Sequence, residues 1–290
     1  MTVRLFEDHV LSKSYFDRFG LSVAVNDEDR VIGFAHAGFG ASDDLTTLST
    51  EGGVVSLLLV AADQPFDAVA KPLLDASEAY LRAHGAKLLY AGGVFPLNPF
   101  YLGIYGGSEL PGILETDARV LEFYRRHGYD EVDHVAILQR DLAGFRPLVD
   151  RAQMQIRRSY QVEAVLDPTP RSWWEACTLG HADRTRFHLN SRSRTTPAAS
   201  LTYWHIEPLA SSWSMHAVGV LDLVASPELR RQGLATFLLG ESLRQLQSHG
   251  ATLVEAQTME HNTAALGLYR KLGFQLIDRG VVLRKRGGPT

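Results

Sequence analysis

Near the end of the 290-residue chain stands Asn262-x-x-Ala265-x-x-x-Tyr269-x-x-x-Gly273-Phe274, and 145 residues earlier stands Asp117-x-x-Val120-x-x-x-Tyr124-x-x-x-Gly128-Tyr129. A repeat of this kind constrains the fold more than any local propensity, because one supersecondary unit used twice must bury its apolar face twice. Upstream of each pattern lies a strand candidate (Val54 to Ala61; Val218 to Ala225), then a helix candidate (Pro65 to Ala83; Leu234 to Ser248), then a second strand (Lys87 to Tyr90; Thr252 to Gln257). His84-Gly85-Ala86 and His249-Gly250-Ala251 close the two helices, where glycine suits a left-handed C-cap. Leu234, Phe237, Leu238, Leu243 and Leu246 form a stripe of helical period, so that helix buries one face. The strand-helix-strand-helix order predicts an α/β (α+β) fold with helices on a mixed sheet.

The join between copies is marked by Gly144 and Pro147, which follow the strand-like run Val135 to Leu138. A short polar helix and a strand over Tyr160 to Leu166 come next. The expected domains are 1–142 and 160–290, with 143–159 as linker. The first copy differs by a Gly/Pro/Tyr-rich stretch, Gly92 to Gly112, which reads as a surface excursion covering a sheet edge, with substrate contact as the other reading.

Composition excludes several classes. The longest nearly unbroken apolar run, Val54 to Ala62, falls well short of the roughly 18 residues a membrane helix requires. The first twenty residues include Glu7, Asp8, Lys13 and Asp17 and lack a signal-peptide core, so a cytoplasmic location is expected. The lone cysteine, Cys177, offers no internal disulfide and reads as a packing residue beside Trp173 and Trp174. The histidines show no metal-ligand spacing, so no metal is expected. Net charge is −4, with the acidic excess in the first half and the basic excess in the second. Arg184, Arg186, Arg192 and Arg194 form a basic run without a nucleic-acid motif, so nucleic acid is not an expected partner.

The sharpest local feature is the run Leu223-Val224-Ala225-Ser226-Pro227-Glu228-Leu229-Arg230-Arg231-Gln232-Gly233-Leu234-Ala235. An apolar strand enters a turn with arginines and a glycine, and an amphipathic helix begins at once. Free backbone N–H groups at a positive helix end make an anion site suited to a diphosphate. Gly233 lets the backbone approach phosphates without a Cβ, and Arg230 and Arg231 supply charge-assisted bonds.

Arg230-x-x-Gly233-x-Ala235, followed in order by Asn262, Ala265, Tyr269 and Gly273-Phe274, resembles the GNAT superfamily of acyl-CoA-dependent N-acyltransferases, closely over residues 217–280. The resemblance implies two tandem GNAT-like domains, each a splayed mixed β-sheet flanked by helices, in a layout similar to that of mycothiol synthases. It implies acetyl-CoA, or another acyl-CoA, as cosubstrate and a small-molecule or peptide amine as acceptor. By the same resemblance the pyrophosphate would lie on Arg230, Arg231, Gln232, Gly233, Leu234 and Ala235, and the pantetheine along Leu223, Val224 and Ala225. Asn262 and Ala265 would meet the cofactor arm, and Tyr269 would sit beside the sulfur as acid.

An amine must lose a proton before it attacks a thioester, so a carboxylate or ordered water has to accept one. Asp222 and Glu255 interrupt apolar strand runs and Glu207 follows Trp204-His205-Ile206; all three stand as candidates. The first copy departs from the pattern, with Asp63-Gln64-Pro65-Phe66-Asp67-Ala68 in place of the arginine and glycine turn. It is expected to be degenerate. A non-catalytic acyl-CoA-binding module is the other functional reading of the chain.

Overall fold

The computed structural model describes residues 2–104, 107–191, 196–207 and 214–286. It divides into two compact units, residues 1–135 with 170–180 and 278–290, and residues 136–169 with 181–277. Arg192, Arg194 and Trp213 lie outside the described residues.

The first unit opens with α1 (Val3–Phe6), β1 (Leu21–Val25), β2 (Val31–Ala41), β3 (Leu48–Val60) and α2 (Phe66–Ala83). It continues through β4 (Leu88–Ala91), β5 (Ile113–Leu114), α3 (Ala118–Arg126) and the start of β6 (Asp130–Asp141). The second unit takes the end of β6, then α4 (Arg151–Ser159) and β7 (Tyr160–Leu166). After α5 (Trp173–Leu179), which belongs to the first unit, come β8 (Arg184–Ser191), β9 (Ala199–His205), β10 (Ala217–Ala225), α6 (Leu234–Ser248), β11 (Leu253–Met259) and α7 (Thr263–Lys271). The last strand, β12 (Gln275–Arg286), returns from residue 278 onward to the first unit.

Each unit carries a mixed sheet. In the first, β1, β2 and β3 are antiparallel neighbours, β3 and β4 are parallel, and β12 lies antiparallel to β4 and β5. In the second, β7, β8, β9 and β10 are antiparallel in that order, β10 and β11 are parallel, and β6 follows β11.

Amphipathic helices close each core. Leu234, Phe237, Leu238, Leu243 and Leu246 of α6 pack with Leu201, Tyr203, Val218, Val254 and Ala256 of the sheet. Val69, Leu73, Leu74 and Leu81 of α2 pack with Ala35, Ala37, Val55 and Leu58 in the same manner. Both helices end alike: Gly85 and Gly250 take φ of 92° and 94°, and Ala86 and Ala251 donate N–H to Leu81 and Leu246 carbonyls at 3.1 and 3.0 Å. The histidine of each cap adds a ring N–H to the carbonyl four residues back, His84 to Tyr80 at 2.9 Å and His249 to Gln245 at 2.7 Å.

The stretch Gly92 to Gly112 corrects the expectation of a surface excursion. Phe100, Tyr101, Leu102 and Leu110 are buried within the first unit, and His36 stacks on Phe100 at 4.1 Å while bonding the Tyr101 hydroxyl at 2.8 Å. A segment that carries this many aromatic and aliphatic side chains lowers its free energy by packing them inward. Trp174 and Trp204 are buried, whereas Trp173 and Cys177 are only partly covered, so Cys177 is not the fully buried packing residue expected.

Candidate functional site

In the second unit β10 and β11 are paired only through Ala217 with Leu253, Val218 with Val254 and Gly219 with Glu255. Beyond that point β10 runs on to Ala225 and β11 to Met259, so the parallel pair splays into a wedge. At the same place β10 slips against β9: Val220 faces Tyr203, Asp222 faces Thr202, and Leu221 has no register partner. Such a bulge bends a strand and re-aims its backbone polar groups. A cavity of about 870 Å³ opens here, lined among others by Val220 to Ala225, Arg230, Arg231, Gly233 to Thr236, Gln257, Thr258, Asn262 and Tyr269.

The turn into α6 forms one end of the cavity. Arg231 and Gly233 adopt positive φ of 63° and 82°, and Gly233 is the N-cap residue with no side-chain cap. The first-turn N–H groups have no intrahelical acceptor, and the macrodipole adds positive potential there. Arg230, Arg231 and Gln232 are exposed beside it. These features fit a diphosphate, and the length of the cavity wall along Leu223, Val224 and Ala225 fits a long arm lying on the strand.

The chemical residues separate into those that line the cavity and those that do not. Tyr269 lines it while nearly buried, its ring 5.1 Å from Phe274. Asp222 lines it from just past the bulge, and it is the single carboxylate among the described lining residues. Asn262 lines it too, but its side-chain oxygen accepts from Ala265 N–H at 3.2 Å as the N-cap of α7, leaving its amide as the donor. Glu255 lies outside the lining and is 3% exposed, with Gln139 and Gln257 amides donating to its two oxygens at 2.8 and 3.1 Å. Glu207 is exposed past the end of β9, and Gln232 is likewise absent from the lining. Arg184 and Arg186 are taken up locally, by Asp167 at 3.7 Å and by Thr202 at 3.0 Å.

Sequence reasoning missed three features of the site. Gln257 and Thr258 line the wedge, and the only signal for Gln257 was its place two residues after Glu255, on the same strand face. The bulge at Leu221 had no signal. Tyr203, fully buried, donates to Ser242 Oγ at 2.9 Å while Ser242 donates to the Leu239 carbonyl at 2.9 Å, and burial together with nearby Tyr269 holds its phenol above the ordinary range.

The corresponding place in the first unit has the same frame. The pairing of β3 with β4 ends at Val55 and Ala91, and Ser56 is the bulged residue between Val55 and Leu57. The cavity there measures only about 70 Å³. Leu110 lies so close over Gly93 that an added β-carbon would stand 2.3 Å from its Cδ1. At the start of α2, Asp67 receives two bonds from Arg126 at 3.1 and 3.2 Å, and Arg119 lies 4.3 Å above the Phe66 ring. Among the described residues no group of His, Cys, Asp and Glu is arranged to hold a metal ion, and no helix is long and apolar enough to cross a membrane.

Residues 151–274 match the model of the acetyltransferase (GNAT) family. Solved structures similar to the whole chain include a tandem GNAT protein from the clavulanic acid biosynthesis pathway, at 17% identity and TM-score 0.65 over 93% of this chain and 85% of that one. A GCN5-related N-acetyltransferase from Sphaerobacter thermophilus is similar at 14% identity and TM-score 0.61, covering 96% and 84%. A GCN5-related glucosamine N-acetyltransferase region of a fungal multi-domain GH3 β-N-acetylglucosaminidase gives 15% identity and TM-score 0.67, with 97% of this chain against 36% of that one. No curated protein matches the chain. Residues 151–274 are thus similar to the acetyltransferase (GNAT) family, and the chain has the fold of tandem GNAT proteins.

Proposed function

We propose that the second unit transfers an acetyl group from acetyl-CoA to the nitrogen of an amine, and that the first unit is a non-catalytic copy. The observation that carries this reading is the contrast between the two wedges, about 870 Å³ in the second unit and about 70 Å³ in the first, on the same strand frame. When bound, acyl-CoA supplies an acyl group already activated as a thioester. The turn from Arg230 to Ala235 would hold its diphosphate, and the edge of β10 its arm.

The remaining chemistry falls to side chains of this chain. Asp222 accepts a proton from the ammonium nitrogen, leaving a lone pair free to attack. Backbone N–H groups released by the bulge at Leu221 are suited to a developing oxyanion. As the C–S bond breaks, the Tyr269 hydroxyl gives its proton to the departing sulfur, and the proton that the acylated nitrogen sheds restores the phenol. In the first unit Leu57 stands immediately after the bulge, where the second has Asp222, so the copy lacks that base. The charge of Asp67 is already matched by Arg126, which leaves no cationic turn for a diphosphate.

Turnover of acetyl-CoA against a panel of primary amines tests the reading, with glucosamine included because one similar structure is described as acting on it. Asp222→Asn is expected to lower kcat by roughly 10²–10⁴-fold, the usual span for a lost general base. Binding of CoA without turnover of any amine would favour a non-catalytic module instead.

A further inference from the structure

Glu255 is the last residue of β11 in register with β10, at the point where the wedge begins. Two residues on, on the same strand face, Gln257 is the first such side chain beyond the divergence, and it lines the cavity. Across the wedge on β10 stands Asp222, the residue after the bulge. The 3%-exposed Glu255 carboxylate takes the Gln139 amide on one oxygen at 2.8 Å and the Gln257 amide on the other at 3.1 Å. A carboxylate accepts and an amide nitrogen donates, so both carboxamides have one permitted orientation. Val254 and Ala256, on the opposite strand face, are locked in the core under α6, which prevents the strand from turning to present Glu255 elsewhere.

These contacts point away from proton transfer. A base must reach the nitrogen it deprotonates, whereas Glu255 is outside the cavity lining and both of its oxygens already receive amide N–H groups. We infer that Glu255 is a positioning residue: through its two amide bonds it fixes the Gln257 carboxamide as the wedge wall opposite Asp222, against which the acceptor amine is oriented. The inference rests on the acyl-transfer reading for its substrate, but the relay itself does not. Gln139 anchors the back of Glu255 from β6, so the buried carboxylate gains stabilisation from both amide donors.

Two measurements on the full chain decide it. In the first, side-chain amide resonances of Gln139 and Gln257, assigned from Gln139→Ala and Gln257→Ala, are followed without turnover. Glu255→Gln is expected to shift both pairs, and addition of acetyl-CoA to the native chain to shift the Gln257 pair. Pairs that stay in place in Glu255→Gln overturn the relay, whereas a Gln257 pair blind to acetyl-CoA overturns the cofactor reading of the wedge and leaves the relay to the Glu255→Gln result. In the second, kinetics are read with glucosamine, or with whichever primary amine is turned over. Glu255→Gln should raise KM for the amine about tenfold, the scale of one oriented hydrogen bond, while the acid limb of the pH profile stays in place. Glu255→Gln/Gln257→Ala should be no worse than Gln257→Ala alone, because the two residues act as one unit. Loss of the acid limb in Glu255→Gln would make Glu255 the base, and losses that multiply would separate it from Gln257. Glu255→Asp, too short to reach both amides, should behave as Glu255→Gln does. Failure of the acyl-transfer reading is distinguishable: every amine would go untouched, or Asp222→Asn would keep full activity, while the resonance test still decides the relay.

Discussion

Tyr269 has a structural role that its partner in the repeat shares. Phe274 N–H bonds the Tyr269 carbonyl at 3.0 Å and Tyr129 N–H bonds the Tyr124 carbonyl at 3.1 Å, with ring centroids 5.1 and 5.0 Å apart. The Tyr-x-x-x-Gly-aromatic pattern is therefore a helix C-cap with its accompanying apolar contact. What differs is the setting, since Tyr269 faces the large cavity and Tyr124 the small one. Tyr269→Phe keeps the ring contact and the cap, so its melting temperature should match the parent. Its kcat should fall roughly 10²–10⁴-fold if the hydroxyl serves as acid. A variant with parental kcat would reduce Tyr269 to its packing role.

His36 carries a second prediction at this scale. Its burial lowers the pKa from 6.5 to about 4, so the folded chain keeps it neutral where an unfolded chain protonates it. The unfolded state binds more protons, and stability is therefore full above about pH 6.5 and declines as pH falls toward 4. The loss is on the order of 3 kcal/mol, the equivalent of the shift between the two pKa values. Denaturant unfolding of the native chain across that range should show the decline, and direct titration should place the His36 midpoint near 4. A midpoint near 6.5 would show that the ring is open to water.

Elements with local causes were legible in the sequence. The helix over Leu234 to Ser248 coincides with its expected span, and Tyr160 to Leu166 with its strand, because the apolar stripe and the cap chemistry lie within the element itself. The wedge was readable only as an implication of family resemblance. Its bulge depends on how β10 meets β9, and no residue type announces a slipped register. At the turn into α6 the sequence singles out Gly233, and the structure gives it a left-handed φ. Gly233→Glu should abolish CoA binding, since it strains a φ of 82°, crowds Gln153 Nε2 at 3.3 Å from the added β-carbon and adds a negative charge to the cationic turn. Calorimetry with unchanged CoA affinity would remove the diphosphate assignment. Asn262→Ala should cost about 0.5–2 kcal/mol through loss of the α7 cap, seen as a lowered melting temperature.

At the scale of the molecule, the repeat was plain but the ownership of the last strand was not. Strand partners are non-local, and the short apolar run Val281-Val282-Leu283 of β12 reads the same whichever sheet it completes. From residue 278 onward it serves the first unit, placing Leu283 beside Ala91, Val281 and Leu283 in that unit's core, and Lys285 on the buried Glu78 at 2.9 Å. A chain ending at Ile277 should therefore lose the first unit while keeping every residue of the large cavity, which lie between Val220 and Tyr269. Removing Lys285 leaves the buried Glu78 with Arg82 as its remaining cation among the described ion pairs, which weakens the neutralisation of that carboxylate. Amide exchange along β3 and β4 should accelerate toward unprotected rates in the truncated chain, and CoA should still bind with one site per chain. Protected β3 and β4 amides would show that the first unit closes without β12, and two equivalent CoA sites in the native chain would show that its small wedge opens to the cofactor.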